Sequence, residues 1–158
     1  MNDEIRVPVS LPLDNEGFLR RECPTCEQEF KWYYHGEGSD DAEHVDQYFC
    51  PRCGDAAGTD KWWTPAQLEY VHGIAGPAMD QVVNDMLDDA FKPLRNSKFI
   101  KVKRTGRVSF DTPTPDPLVE PDDMVIVESP CHPNEPVKVP EDAAARVFCL
   151  ICGREFAA

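Results

Sequence analysis

Cys23-Pro24-Thr25-Cys26-Glu27 and Cys50-Pro51-Arg52-Cys53-Gly54 repeat one short pattern, with 23 residues between Cys26 and Cys50. Two residues between thiolates allow a tight turn that points both sulfurs at one ion while backbone N–H groups face them. Two such turns on facing hairpins complete a tetrahedral shell of four sulfurs, a donor set that suits zinc. Pro24 and Pro51 pre-set φ inside the turns, and Gly54 fits the positive-φ position that closes one. Extended stretches flank both turns: 18–21 and 30–34 around the first, 47–49 before the second.

This pairing resembles the zinc-ribbon family, in which two Cys-Pro-x-Cys knuckles clamp one structural zinc. The resemblance covers about residues 18–60 and implies Cys23, Cys26, Cys50 and Cys53 as ligands. The first knuckle departs from the family at Glu27, where a Gly often follows. Two other chemistries use such cysteines. A thioredoxin-type redox pair needs one Cys-x-x-Cys at a helix start after a strand, a context missing here. Rubredoxin-type iron would take the same four thiolates, with Trp32, Tyr33, Tyr48 and Phe49 as a shield. Zinc is the expectation.

A third pair, Cys149-Leu150-Ile151-Cys152-Gly153, stands near the C-terminus, and Ser129-Pro130-Cys131-His132-Pro133 precedes it. Cys131, Cys149 and Cys152 with His132 would form a Cys₃His site. Adjacent ligands strain a backbone, so Glu135 is the alternative oxygen donor. Strands expected at 124–127, 137–139 and 146–148 make this region look like a second, degenerate ribbon.

The 158 residues carry 16 Lys and Arg against 29 Asp and Glu, a net charge of −13, with 41% apolar residues. That balance belongs to a folded chain and argues against a basic protein that coats duplexes. No apolar run reaches the roughly 20 residues of a membrane span. The acidic start Met1-Asn2-Asp3-Glu4 has no apolar stretch behind it, so no secretory signal is expected. A reducing, cytoplasmic setting follows, in which seven cysteines read as metal ligands sooner than as disulfides. Charge is uneven: residues 91–110 hold seven bases and no acid.

Thr64-Pro65-Ala66-Gln67 has the residues of a helix start, and Gly73 and Gly76 are expected to end or kink that helix. Pro77 would open a second helix, closed by Pro93. Met79, Val82, Val83, Met86, Leu87, Ala90 and Phe91 would share its apolar face, with Asp80, Asn84, Asp85, Asp88 and Asp89 opposite. Segments 99–103 and 107–110 read as a basic hairpin, and 36–46 as a polar loop. Pro113, Pro115, Pro117 and Pro121 mark an extended linker.

The expectation is a small α+β protein. Residues 1–110 would carry the ribbon, the helical pair and the basic hairpin, 111–121 the linker, and 122–158 the second zinc module. The sequence lacks His-Glu-x-x-His, a phosphate loop and a nucleophile elbow. A filled shell of four thiolates leaves no open position for water, so catalysis is not expected. The expected role is an adaptor that docks on a partner protein through Trp62, Trp63 and the helix face at 79–91, with oligomerisation as a use for the same face. Nucleic-acid binding through Lys101, Lys103 and Arg104 is the alternative. A zinc enzyme with an open site at Cys131, Cys149 and Cys152 is a weaker one.

Overall fold

The computed structural model describes residues 9–95, 98–99, 106–109 and 114–157. It is α+β, with one long helix and several small antiparallel sheets. The chain divides into two compact units, one of Leu11–Gln67 with Leu118–Ala158, the other built around Leu68–Pro117.

In the first unit, β1 (Phe18–Glu22), β2 (Glu29–Tyr33), β5 (Val125–Val127) and β6 (Val137–Val139) form one sheet in the order β1-β2-β6-β5. β3 (Gln47–Phe49) pairs with β4 (Ala56–Gly58), and β7 (Val147–Phe148) with β8 (Glu155–Phe156). The expected division at 111–121 is therefore corrected. Residues 122–158 do not stand apart, because β6 pairs with β2 at Lys31↔Lys138 and Trp32↔Val137. A two-stranded β1–β2 hairpin is marginal alone, and the second pair of strands supplies what it lacks.

Register sorts the sheet into two faces. One row reads Leu19, Trp32, Val137, Val127. It lies beside the core of Phe30, Trp62, Val139, Val147 and Leu150, which also includes Cys23 and Cys50. The neighbouring row, facing the other way, reads Arg20, Lys31, Lys138, Ile126. Lys31 and Lys138 are fully buried, and carboxylates, with the Pro121 carbonyl 2.6 Å from Lys31 Nζ, make that tolerable. Asp14 Oδ2 lies 3.2 Å from Lys31 Nζ and 2.7 Å from Lys138 Nζ. Glu120 reaches Lys31 at 3.0 Å, and Glu16 and Asp122 reach Lys138 at 2.9 and 3.2 Å. Arg20 pairs with Glu29, Glu120 and Asp123. The stretch 118–123, part of the expected linker and of the module after it, thus brings acids to a buried cation row.

Burial alone would raise the Asp14 carboxyl. Hydrogen bonds from Lys138, from the Phe18 and Glu16 N–H groups and from Lys31 outweigh it and hold the group well below the usual carboxylate range.

Helix α1 (Pro65–Arg95) opens with a reciprocal capping box. Gln67 N–H donates to Thr64 Oγ1 and Thr64 N–H to Gln67 Oε1, both at 3.1 Å. Gln67 Nε2 also donates to the Arg20 carbonyl at 2.8 Å, tying the helix start to β1. The helix does not end at 73–77. Pro77 and Pro93 both lie inside one 31-residue helix. Pro77 removes a single N–H, the one that would bond Gly73. Gly73 serves close packing instead of termination, since a Cβ there would stand 2.9 Å from the Pro115 ring.

The seven apolar positions between Met79 and Phe91 are half-buried or exposed, with Met79 and Met86 among the exposed. Asn84, expected on the polar face, is the buried one. Its Nδ2 donates to the Val108 carbonyl at 2.7 Å and its Oδ1 accepts the Val108 N–H at 2.8 Å. Residues 107–109 form this contact without being a strand, which corrects that half of the expected hairpin. Residues 100–105, with Lys101, Lys103 and Arg104, lie outside the described residues. Residues 36–46 contain turns and no strand, as expected of a loop. Among the described residues, no helix is long and apolar enough to cross a membrane.

Candidate metal centres

Three turns of the first unit share one hydrogen-bond pattern. The first cysteine's N–H donates to the carbonyl five residues on, and its own carbonyl accepts the N–H four residues on. These pairs are Cys23 to Gln28 with Glu27 to Cys23, Cys50 to Asp55 with Gly54 to Cys50, and Cys149 to Arg154 with Gly153 to Cys149. Closing such a loop requires a left-handed residue at the fourth position after the cysteine. Gly54 and Gly153 take φ of 82° and 71° there. Glu27 takes φ of 57°, so the first knuckle closes as the others do despite its side chain.

Knuckles 23–27 and 50–54 face one another across the first cluster. Cys23 Sγ lies 3.7 Å from Cys53 Sγ, and Cys26 Sγ 3.8 Å from Cys50 Sγ. All four sulfurs fall within 4.8 Å of each other. Sulfurs bound to one zinc at about 2.3 Å stand about 3.8 Å apart, so the observed edges fit that ion without adjustment. Cys23 Sγ accepts N–H bonds from Thr25 and Cys26, and Cys50 Sγ from Arg52 and Cys53. Cys23 and Cys50 are buried; Cys26 and Cys53 are half-buried.

Burial pushes the Cys50 thiol far up, more than its two N–H donors bring it down. Burial raises Cys23 too, but the N–H groups of Cys26 and Thr25 prevail and leave it lowered. A divalent cation at the centre would favour all four thiolates.

The second cluster gathers Cys131, His132, Cys149 and Cys152 within the same limit. Cys149 Sγ stands 3.4 Å from His132 Nδ1, and Cys131 Sγ 3.2 Å from Cys152 Sγ. Adjacent Cys131 and His132 reach one centre because their turn is braced. Ser129 Oγ accepts the His132 N–H at 3.4 Å, and the His132 carbonyl accepts the Glu135 N–H at 3.1 Å. Glu135, the alternative ligand, turns elsewhere. Its Oε1 accepts the Glu43 N–H at 3.0 Å and lies 3.0 Å from His35 Nε2.

Cys149 is buried, whereas Cys131 and Cys152 are exposed. Ser129 Oγ, 3.1 Å away, is the main cause that brings the Cys131 thiol down to about 6. His132 is raised, chiefly by its hydrogen bond with Cys131.

Knuckles 50–54 and 149–153 belong to different clusters yet bind each other almost symmetrically. Phe49 N–H donates to the Leu150 carbonyl at 2.8 Å, and Phe148 N–H to the Pro51 carbonyl at 3.0 Å. A Cβ on Gly54 would meet the Phe148 ring at 3.0 Å, and one on Gly153 would meet the Phe49 ring at 2.6 Å. Each glycine thus makes room for the other knuckle's ring. The signal for this contact is the repeated Phe-Cys-x-x-Cys-Gly at 49–54 and 148–153. Ser129, a further residue beside the second cluster, had no signal beyond standing two places before Cys131.

The two tryptophans separate. Trp62, expected as a contact surface, is 1% exposed, with its ring 5.7 Å from Phe30 and 6.5 Å from Trp32. A ring needed to fill the core between β2 and the helix start is closed to a partner. Trp63 is half-buried, with the Arg21 guanidinium 5.1 Å from its ring and 4.5 Å from that of Trp32. Burial lowers Arg21 to about 10.

Searches of protein-family models, of curated proteins and of solved structures each find no match to this chain.

Proposed function

We propose that each cluster holds one zinc ion and that the protein is a non-catalytic binding module of a reducing compartment, its metal-clamped knuckles forming a rigid platform for a partner protein. The observation that carries this reading is the convergence of three identical knuckle turns on two clusters of four donors. In the first cluster the 3.7 and 3.8 Å edges match a zinc tetrahedron. In the second, His132 Nδ1 would supply the fourth donor, the position that a catalytic zinc keeps for water. Iron would also accept the four thiolates of the first cluster, and metal analysis separates it from zinc.

Charge favours a protein partner over a nucleic acid. The net charge is −13, and Arg20, Lys31 and Lys138 are engaged by the chain's own carboxylates. Trp63 remains as an apolar contact surface, whereas buried Trp62 does not.

Elemental analysis of protein purified without chelator is expected to give two zinc ions per chain. Iron in either site, or no metal, overturns the zinc reading. Binding to DNA or RNA that falls steeply with salt, and is lost on changing Lys101, Lys103 and Arg104 to Ala, would replace the protein partner with a nucleic acid.

A further inference from the structure

Cys131 and Cys152 depart from the first cluster in three ways that point in one direction. Both are exposed, whereas no cysteine of the first cluster is: Cys23 and Cys50 are buried and Cys26 and Cys53 half-buried. Their sulfurs stand 3.2 Å apart, closer than the roughly 3.8 Å edge of a zinc tetrahedron and about an ångström from bonding distance. A cavity of about 140 Å³, lined by Pro130, Cys131, Arg154 and Phe156, opens beside Cys131. That space admits molecules the size of water or peroxide. Cys149, the third sulfur, is closed off in the core beside Val147 and Leu150.

We infer that Cys131 and Cys152 are an oxidative modification site: a peroxide converts them to a disulfide and the second zinc leaves, while the first stays. The inference rests on zinc occupying the second cluster. The Cys131 thiolate attacks hydrogen peroxide, the O–O bond breaks, hydroxide departs, and Cys131 becomes a sulfenic acid. The Cys152 thiolate then attacks that sulfur and displaces a second hydroxide. Each hydroxide takes a proton from solvent, giving two waters. The two sulfurs together lose two electrons, which the peroxide oxygens gain. Only Cys149 and His132 remain for the metal, and two donors do not retain zinc against solvent and chelator. Loss of this metal frees the 129–135 turn and the outer half of knuckle 149–153. The four-stranded sheet keeps its own pairing.

The test uses the zinc-loaded, full-length protein and hydrogen peroxide alone. Zinc is counted before treatment by elemental analysis and during it by a chromogenic chelator. Free thiols are then alkylated and the digest is mapped by mass. The expected result is two zincs at the start, one released, and a 131–152 cross-link with Cys23, Cys26, Cys50 and Cys53 alkylated. Reductant and zinc together restore the second equivalent. Release of both zincs at one rate, a disulfide within the first cluster, or no 131–152 cross-link overturns the inference. A chain that starts with one zinc in the first cluster and still forms the cross-link refutes the two-zinc reading, and with it the ejection, leaving the disulfide standing.

Discussion

Knuckles 50–54 and 149–153 are near copies that face one another, yet the clusters they complete differ in kind. The first cluster has its other half in knuckle 23–27, which sits at the turn between β1 and β2. The second has its other half in a short turn at 131–132, two residues that carry one exposed sulfur and one half-buried ring. What a cysteine knuckle becomes is therefore set less by its own turn than by what answers it. A knuckle answered from within a sheet completes a donor set with no exposed cysteine. One answered from a surface turn completes a donor set in which two cysteines are exposed.

The strongest way to break this comparison is to remove one sulfur from each cluster. Cys50 is fully buried in the core, so Cys50→Ser removes a ligand and leaves an unfilled polar site beside Trp62 and Phe30. Structural zinc contributes about 10–16 kcal/mol in small domains, against about 5–15 kcal/mol for the net stability of a whole fold. The Cys50→Ser protein should show no cooperative urea transition when followed by tryptophan fluorescence. Cys152→Ser should lose one zinc equivalent and keep a cooperative transition at a lower midpoint. Equal behaviour of the two variants would mean that the clusters are energetically alike, whatever their burial.

The next effect lies in the sheet that supports the first cluster. Asp14 Oδ2 serves both buried lysines, so Asp14→Ala leaves two cations short of a partner inside the sheet. Breaking such a buried pair costs about 3–5 kcal/mol. The zinc content of this variant should be unchanged at neutral pH, which separates the ion row from the metal.

The sign of its pH dependence is fixed by linkage. The folded Asp14 carboxyl is depressed, so its contribution is full above the unfolded value of about 3.9 and is lost as pH falls through the lower folded value. Urea midpoints for the wild type should drop as pH falls below about 4. The gap between wild type and Asp14→Ala should narrow over the same interval. A gap that stays constant would show that Asp14 acts by packing and not by charge.

Features fixed by close neighbours were legible in the sequence. Two residues between cysteines define a knuckle without reference to anything distant, so all three knuckles were readable. Their donors do gather into two clusters. The Thr64–Gln67 box was readable for the same reason. Features fixed by distant partners were not. Lys31 and Lys138 alternate with apolar neighbours just as solvent-facing residues do, and only their register reveals a buried row. Acids in 118–123 looked like linker and module surface for want of that register. Gly73 and Pro77 looked like a helix boundary because Pro115, the reason for Gly73, lies 42 positions away in the chain. Asn84 fell on the polar face by periodicity, while its partner is the backbone of Val108, a position that no side-chain pattern encodes.

The smallest expected effect probes the contact between the two near-identical knuckles. Gly54 and Gly153 are both left-handed, so alanine at either carries the same backbone cost of about 1 kcal/mol. The difference lies in the facing ring. An added Cβ would meet Phe49 at 2.6 Å from position 153, but Phe148 at 3.0 Å from position 54. Overpacking of this kind costs typically about 1–3 kcal/mol, and the closer approach should cost more. Gly153→Ala should therefore destabilise the zinc-loaded protein more than Gly54→Ala in equilibrium urea unfolding. Replacing Phe49 with Leu should recover part of the Gly153→Ala loss and none of the Gly54→Ala loss, because each ring answers only one glycine. Glu27 sets the baseline, as it closes an equivalent turn at φ of 57° while exposed to solvent. Glu27→Gly relieves the left-handed strain with no ring to meet, and a gain of up to about 1 kcal/mol is expected. If Gly153→Ala and Gly54→Ala lose the same amount, and that amount equals the Glu27→Gly gain, then backbone handedness alone requires the glycines. The reciprocal seating of Phe49 and Phe148 would then be a consequence of the two knuckles meeting, with no part in selecting the residues that close them.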